Sequence, residues 1–125
     1  MRPFAIVVQN LIRVLFLVLL VLGFMFWSGH ALNLVQWHMH LGELLVAALW
    51  LLAVVALVKR VAPVLSIVAL LWGLLVVFFG MRMPVLMPGP AHEAIRLIHL
   101  LIGVVAIGLA EVIGARVKRS SAATG

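Results

Sequence analysis

The sequence predicts an all-α membrane protein, an antiparallel up-down four-helix transmembrane bundle, and three observations carry that expectation. Of the 125 residues 67% are apolar and 10% charged, and the mean hydropathy is +1.37, far from the balance of a soluble globular chain. The apolar residues fall into four runs, each close to the ~20 residues a helix needs to cross a bilayer core. Strands are excluded as spans, because four of them cannot close a barrel and an open edge leaves backbone groups unpaired in hydrocarbon. The Lys and Arg residues gather at the ends of the runs and favour one side.

The expected spans are residues 11–28, 34–58, 63–80 and 91–115, which make residues 1–125 a single transmembrane domain. Ser28-Gly29-His30 closes the first, and Lys59-Arg60 closes the second. A short link containing Pro63 opens the third, which ends before Gly80-Met81-Arg82-Met83-Pro84 and the turn Met87-Pro88-Gly89-Pro90. The fourth is followed by Arg116, Lys118, Arg119 and a small polar tail. The first run has the outline of a signal peptide, with Arg2 and Arg13 before an apolar core and a weak cleavage pattern at Gly29-His30-Ala31. It is expected to be kept as a span.

Arg2, Arg13, Lys59, Arg60, Arg116, Lys118 and Arg119 fall on one side, against Arg82 and Arg96 on the other. The excess of basic residues on cytoplasmic loops then predicts that both termini face the cytoplasm. A net charge of +6 distributed in this way marks topology and forms no patch for nucleic acid. The absence of cysteine excludes disulfides, thiolate metal sites and iron–sulfur clusters.

Against this apolar background the polar residues segregate. His30, His38, His40, His92 and His99 all belong to the non-cytoplasmic half, with Glu43, Glu93 and Arg96. On the fourth run His92, Arg96, His99, Gly103, Ala106, Ala110 and Gly114 recur at steps of three and four, which places them on one helical stripe. A stripe of ionisable and small residues faces protein or a bound group, because an ionisable side chain facing acyl chains costs a few kcal/mol or more. On the second run His38 shares a face with Gly42, Leu45 and Leu49, while His40 shares another with Gln36, Glu43 and Ala47. Two residues apart on a helix point ~200° away from each other, so one histidine faces the bundle and the other does not. Periodicity leaves open which.

Two segments share the pattern His-x-x-x-Gly: His38 to Gly42 and His99 to Gly103. A porphyrin held edgewise between helices needs an imidazole from each side, and a missing side chain one turn away so that the flat ring can lie against backbone. The depths agree within about a turn: His38 lies 21 residues before Lys59, His40 lies 19 before it, and His99 lies 17 before Arg116. Arg96, one turn from His99, suits a propionate, and Glu43, one turn from His40, suits the second nitrogen of an imidazole. Trp37, Gln36 and His92 lie near the same surface, and Met39, Met81, Met83 and Met87 are gap-fillers by default, with thioether ligation as the alternative. Trp27, Trp37, Trp50 and Trp72 include interface anchors.

With His38-Met39-x-x-Gly42 in the second run and Leu97-Ile98-His99-Leu100-Leu101-Ile102-Gly103 before a small-residue run and a basic end, the chain resembles small bacterial four-helix membrane proteins. More distantly it is similar to the haem-binding four-helix units of membrane cytochromes b, such as the cytochrome b561 class, and to one half of haem A synthase. The resemblance implies one haem b with His38 and His99 as axial ligands, and it departs from two-haem cytochromes in lacking a second histidine pair at the cytoplasmic side.

Three readings follow. In the first, a b-type haem protein of the bacterial cytoplasmic (inner) membrane transfers electrons between a quinone and a periplasmic partner, its haem held near the non-cytoplasmic face by His38, His99, Gly42, Gly103 and Arg96, with His40 as the alternative on the second run. In the second, His40, Glu43, His92 and His99 bind a zinc, copper or iron ion. In the third, the chain is a cofactor-free accessory subunit. A homodimer through Gly/Ala surfaces fits any of them.

Overall fold

The computed structural model describes residues 2–83, Gly89 and residues 92–124, and among these it contains four α-helices and no strand. Helix α1 spans Arg2–Trp27, α2 Val35–Val58, α3 Pro63–Arg82 and α4 His92–Thr124, with a 3-10 turn at Leu32–Leu34 before α2. All four are long and apolar enough to cross a membrane. Apart from Gly89, the expected turn around Met87 and Pro88 lies outside the described residues.

Two helix ends differ from the expected spans. Helix α1 begins at Arg2, well before residue 11, and α4 continues to Thr124 through the basic residues expected to precede a tail. The expectation followed apolarity, which Gln9, Asn10 and Arg13 interrupt. These residues do not break a helix, and they have partners. Arg13 forks onto Glu111 of α4, with Nε to Oε1 at 2.6 Å and Nη2 to Oε2 at 2.8 Å. Its Nη1 donates to Asn10 Oδ1. The buried Gln9 donates from Nε2 to the Glu111 backbone and carboxylate, each at 3.2 Å. The start of α1 is thereby tied to the later part of α4.

Helix α1 stops where Gly29 takes φ 82°, a left-handed conformation that glycine adopts without steric cost. The Gly29 N–H bonds to Phe26 O at 3.0 Å and the His30 N–H to Met25 O at 2.7 Å, the paired bonds of a Schellman cap. Helix α2 ends in the same motif, with Arg60 at φ 58° in the glycine position and Val61 N–H bonded to Ala56 O at 2.8 Å. Pro63 then occupies the first turn of α3, where its missing N–H costs nothing.

Helix α1 packs on α2 and α4, and α3 likewise packs on α2 and α4. The fully buried core lies toward the end that carries most of the basic residues: Ile12 of α1, Leu49, Leu52 and Ala56 of α2, Ala69 of α3, and Ala110, Ile113 and Val117 of α4. Small residues set the approach of the helices here. At Gly73 an added Cβ would lie 2.9 Å from Trp50 Cε2 and 3.0 Å from Val46 Cγ1. The Trp50 ring is held there by its N–H, which donates to Leu70 O at 3.1 Å. Trp72 makes the corresponding bond from α3 to α4, to Ile102 O at 2.9 Å, so both tryptophans join helices. Gly73→Ala is expected to force α2 and α3 apart and to destabilise the fold by about 1–3 kcal/mol, read as a lower midpoint for thermal unfolding in detergent. An unchanged midpoint would show that this contact is not close.

Candidate functional site

Toward the other end the core gives way to a cavity of about 440 Å³, within the range of small-molecule and cofactor sites. Its position follows from side-chain size. In this half glycines and histidines stand among the larger lining residues: Gly23 on α1, His38 and Gly42 on α2, Gly80 on α3, and His99 and Gly103 on α4 all line it. A Cβ added at Gly42 or at Gly103 would have no protein atom within 4 Å. Each glycine therefore leaves open space where another residue would project.

The structure resolves the two faces of α2. Leu45 and Leu49 are buried, and His38 points with them into the bundle. Gln36, His40, Glu43 and Ala47 are exposed, with the His40 and Glu43 side chains 65% and 55% accessible and 3.9 Å apart. On α4 the stripe faces inward, with Ala106 and Ala110 buried, while Leu97, Ile98, Leu101, Val104 and Val105 face outward. His38 and His99 consequently meet. Their ring centroids are 6.2 Å apart with the planes inclined at 52°.

That distance has a chemical meaning. An imidazole nitrogen binds a transition metal at about 2.0–2.1 Å and lies ~1.1 Å from its own ring centroid, so two imidazoles that shared one ion would have centroids no more than ~6.3 Å apart. Among the described residues, Nδ1 of His38 and Nδ1 of His99 are both buried with no hydrogen-bond partner. A buried unpaired polar atom is costly. The cavity of about 440 Å³ lies beside the two rings.

Helices α1 and α3 complete the surroundings of each imidazole in a matching way. Phe26 packs edge-on to His38 with centroids 5.4 Å apart, and Phe79 stacks on His99 at 5.9 Å with planes 8° apart. A Cβ at Gly23 would lie 3.8 Å from His38 Cε1, and one at Gly80 3.8 Å from His99 Cε1. Each histidine is thus flanked by one phenylalanine and one glycine from its neighbouring helix. Sequence reasoning missed all four of these residues, and the available signal was slight: Gly23 with Phe26 near the end of α1, Phe79-Gly80 near the end of α3.

The remaining expected site residues lie around the rim or apart from it. Arg96, His92 and Glu43 line the cavity, and Arg96 pairs with Glu93 at 2.9 Å. Met39, Met81 and Met83 also line it, whereas Met87 lies outside the described residues. His40, Glu43, His92 and His99 are not brought together: among the described residues there is no group of three or more His, Asp or Glu side chains placed to hold a metal ion. His30 is held elsewhere, its Nδ1 3.1 Å from Ser28 Oγ. Trp37 stands exposed on the outside of α2.

No family model, curated protein or solved structure matches the chain. The fold and cavity define a four-helix, transmembrane-like bundle with a facing histidine pair.

Proposed function

We propose that this protein is a b-type haem-binding membrane protein engaged in electron transfer, with one haem held between α2 and α4 by His38 and His99. The observation that carries the reading is the histidine pair: two imidazoles from different helices, 6.2 Å apart, each with a buried unpartnered Nδ1, beside a cavity kept open by Gly42 and Gly103. The residues present fit the group. His38 and His99 would hold the iron from facing helices, the two glycines would leave room for the ring, and Arg96, which lines the cavity, would meet a propionate.

When bound, haem supplies one-electron chemistry at the iron. The protein's part is to fix the two imidazoles, with Phe26 and Phe79 setting the ring planes, and to exclude water behind the packed core. Held by an imidazole from each of two helices, the group would favour electron transfer over reaction at the metal. The Lys and Arg distribution supports an antiparallel up-down bundle in a bacterial cytoplasmic membrane with both termini inside. The site then lies near the non-cytoplasmic face, within reach of a quinone in the bilayer or a periplasmic redox partner.

The absorption spectrum of protein purified in detergent after expression with ample haem tests the proposal. A Soret band with sharp α and β bands on reduction is the expected result. Absence of haem by spectrum and by pyridine assay would sink it, and metal analysis would then examine the zinc, copper or iron alternative.

A further inference from the structure

At the histidine end, α1 and α4 are joined by one polar cluster beside the cavity. Trp27, the last residue of α1, donates its indole N–H to Glu93 Oε2 at 3.0 Å. Arg96 donates from Nη1 to Glu93 Oε1 at 2.9 Å, and its guanidinium carbon lies 6.0 Å from the Trp27 ring centroid. A single carboxylate thus holds both partners, one oxygen to each. Trp27 and Arg96 are cavity-lining residues, and Arg96 is the one Lys or Arg side chain that lines it among the described residues.

A guanidinium presents five N–H donors in a planar fork suited to a carboxylate. A carboxylate on a ligand in this cavity has Arg96 as its cationic partner, and Arg96 is already engaged. The ligand's group must share the guanidinium with Glu93 or displace it. Displacement also frees the Trp27 N–H and so unties the end of α1 from the start of α4.

We propose that Glu93 is an internal competitor for the ligand's carboxylate: it clasps Arg96 and Trp27 at the rim, and the site selects acidic porphyrins by exchanging Glu93 for a ligand carboxylate on Arg96. The inference rests on the haem reading and adds to it a named selectivity and the contact that opens during loading.

Titration of haem-free protein in detergent with haem, and separately with haem dimethyl ester, whose propionates are capped, tests it through the Soret change. Wild-type protein is expected to bind the diacid about tenfold more tightly than the diester, the equivalent of one charge-assisted hydrogen-bonded contact. Arg96→Gln should erase that difference. Glu93→Gln should tighten the diacid by about two- to fivefold, the range of a partly exposed ion pair, and leave the diester unchanged. Trp27→Phe keeps the ring, removes the N–H and should speed association of the diacid. Equal binding of the two porphyrins by wild type, or a Glu93→Gln variant whose diacid affinity is unchanged or weaker, would overturn the clasp while leaving the haem site standing. Uptake of neither porphyrin would remove both.

Discussion

His99→Ala is expected to abolish the haem spectrum or to replace it with a weak, high-spin one. Among the described residues, His99 is one of two side chains whose buried nitrogen has no hydrogen-bond partner, and its ring is the one that faces His38 at 6.2 Å. Loss of residues that only support a metal ligand costs 10- to 100-fold in affinity, so loss of the ligand itself is expected to cost about 100-fold or more. His38→Ala should act in the same way. His40→Ala, whose side chain is 65% exposed on the opposite face, should leave band positions unchanged. The three variants together test geometry and not merely histidine content. Unchanged bands in His99→Ala, or a loss in His40→Ala comparable to that in His38→Ala, would refute the ligand assignment. Imidazole added to His99→Gly should restore a low-spin spectrum if the fault is a missing ligand and not a collapsed helix.

The second large effect is expected from filling the cavity without touching the histidines. Gly103→Leu places an apolar side chain where an added Cβ meets no protein atom within 4 Å. The fold should tolerate it, with a stability change within about 1 kcal/mol, because the new atoms enter open space and displace no neighbour. The porphyrin would have to occupy that same space, so haem uptake should fall to background while the thermal midpoint of the haem-free protein holds. Gly42→Leu is the matching experiment on α2. Retained haem with a normal spectrum in both variants would show that the ring does not lie in this cavity. The contrast with Gly73→Ala is useful, since there the Cβ has no room beside Trp50 and Val46. On the proposed reading, one glycine serves packing and the other leaves room for the bound group.

Some of this architecture was legible in the residues alone and some was not, and particular elements show why. The inward stripe of α4 could be read because it alternates with Leu97, Leu101, Val104 and Val105, all of which face outward. Helix α2 could not be read in this way. It is apolar on nearly all sides after its first turns, so periodicity gives no preference between the His38 and His40 faces, and only packing against α1, α3 and α4 turns His38 inward. Helices α1 and α4 run beyond the expected spans for a related reason: apolarity marks what suits hydrocarbon, while a helix can continue past it, as at Gln9 and Asn10, whose side chains bond to Glu111 and Arg13.

Composition and spacing were sufficient for a chain of four apolar helices, for the grouping of histidines at one end, and for two glycines each one turn from a histidine, because these are local properties of a helix and of its solvent. The meeting of His38 with His99, the phenylalanine and glycine that flank each ring, and the Glu93 clasp on Trp27 and Arg96 came only with the tertiary structure. These contacts join residues far apart in the chain, and a helix that is apolar all round carries no record of which neighbour it will face.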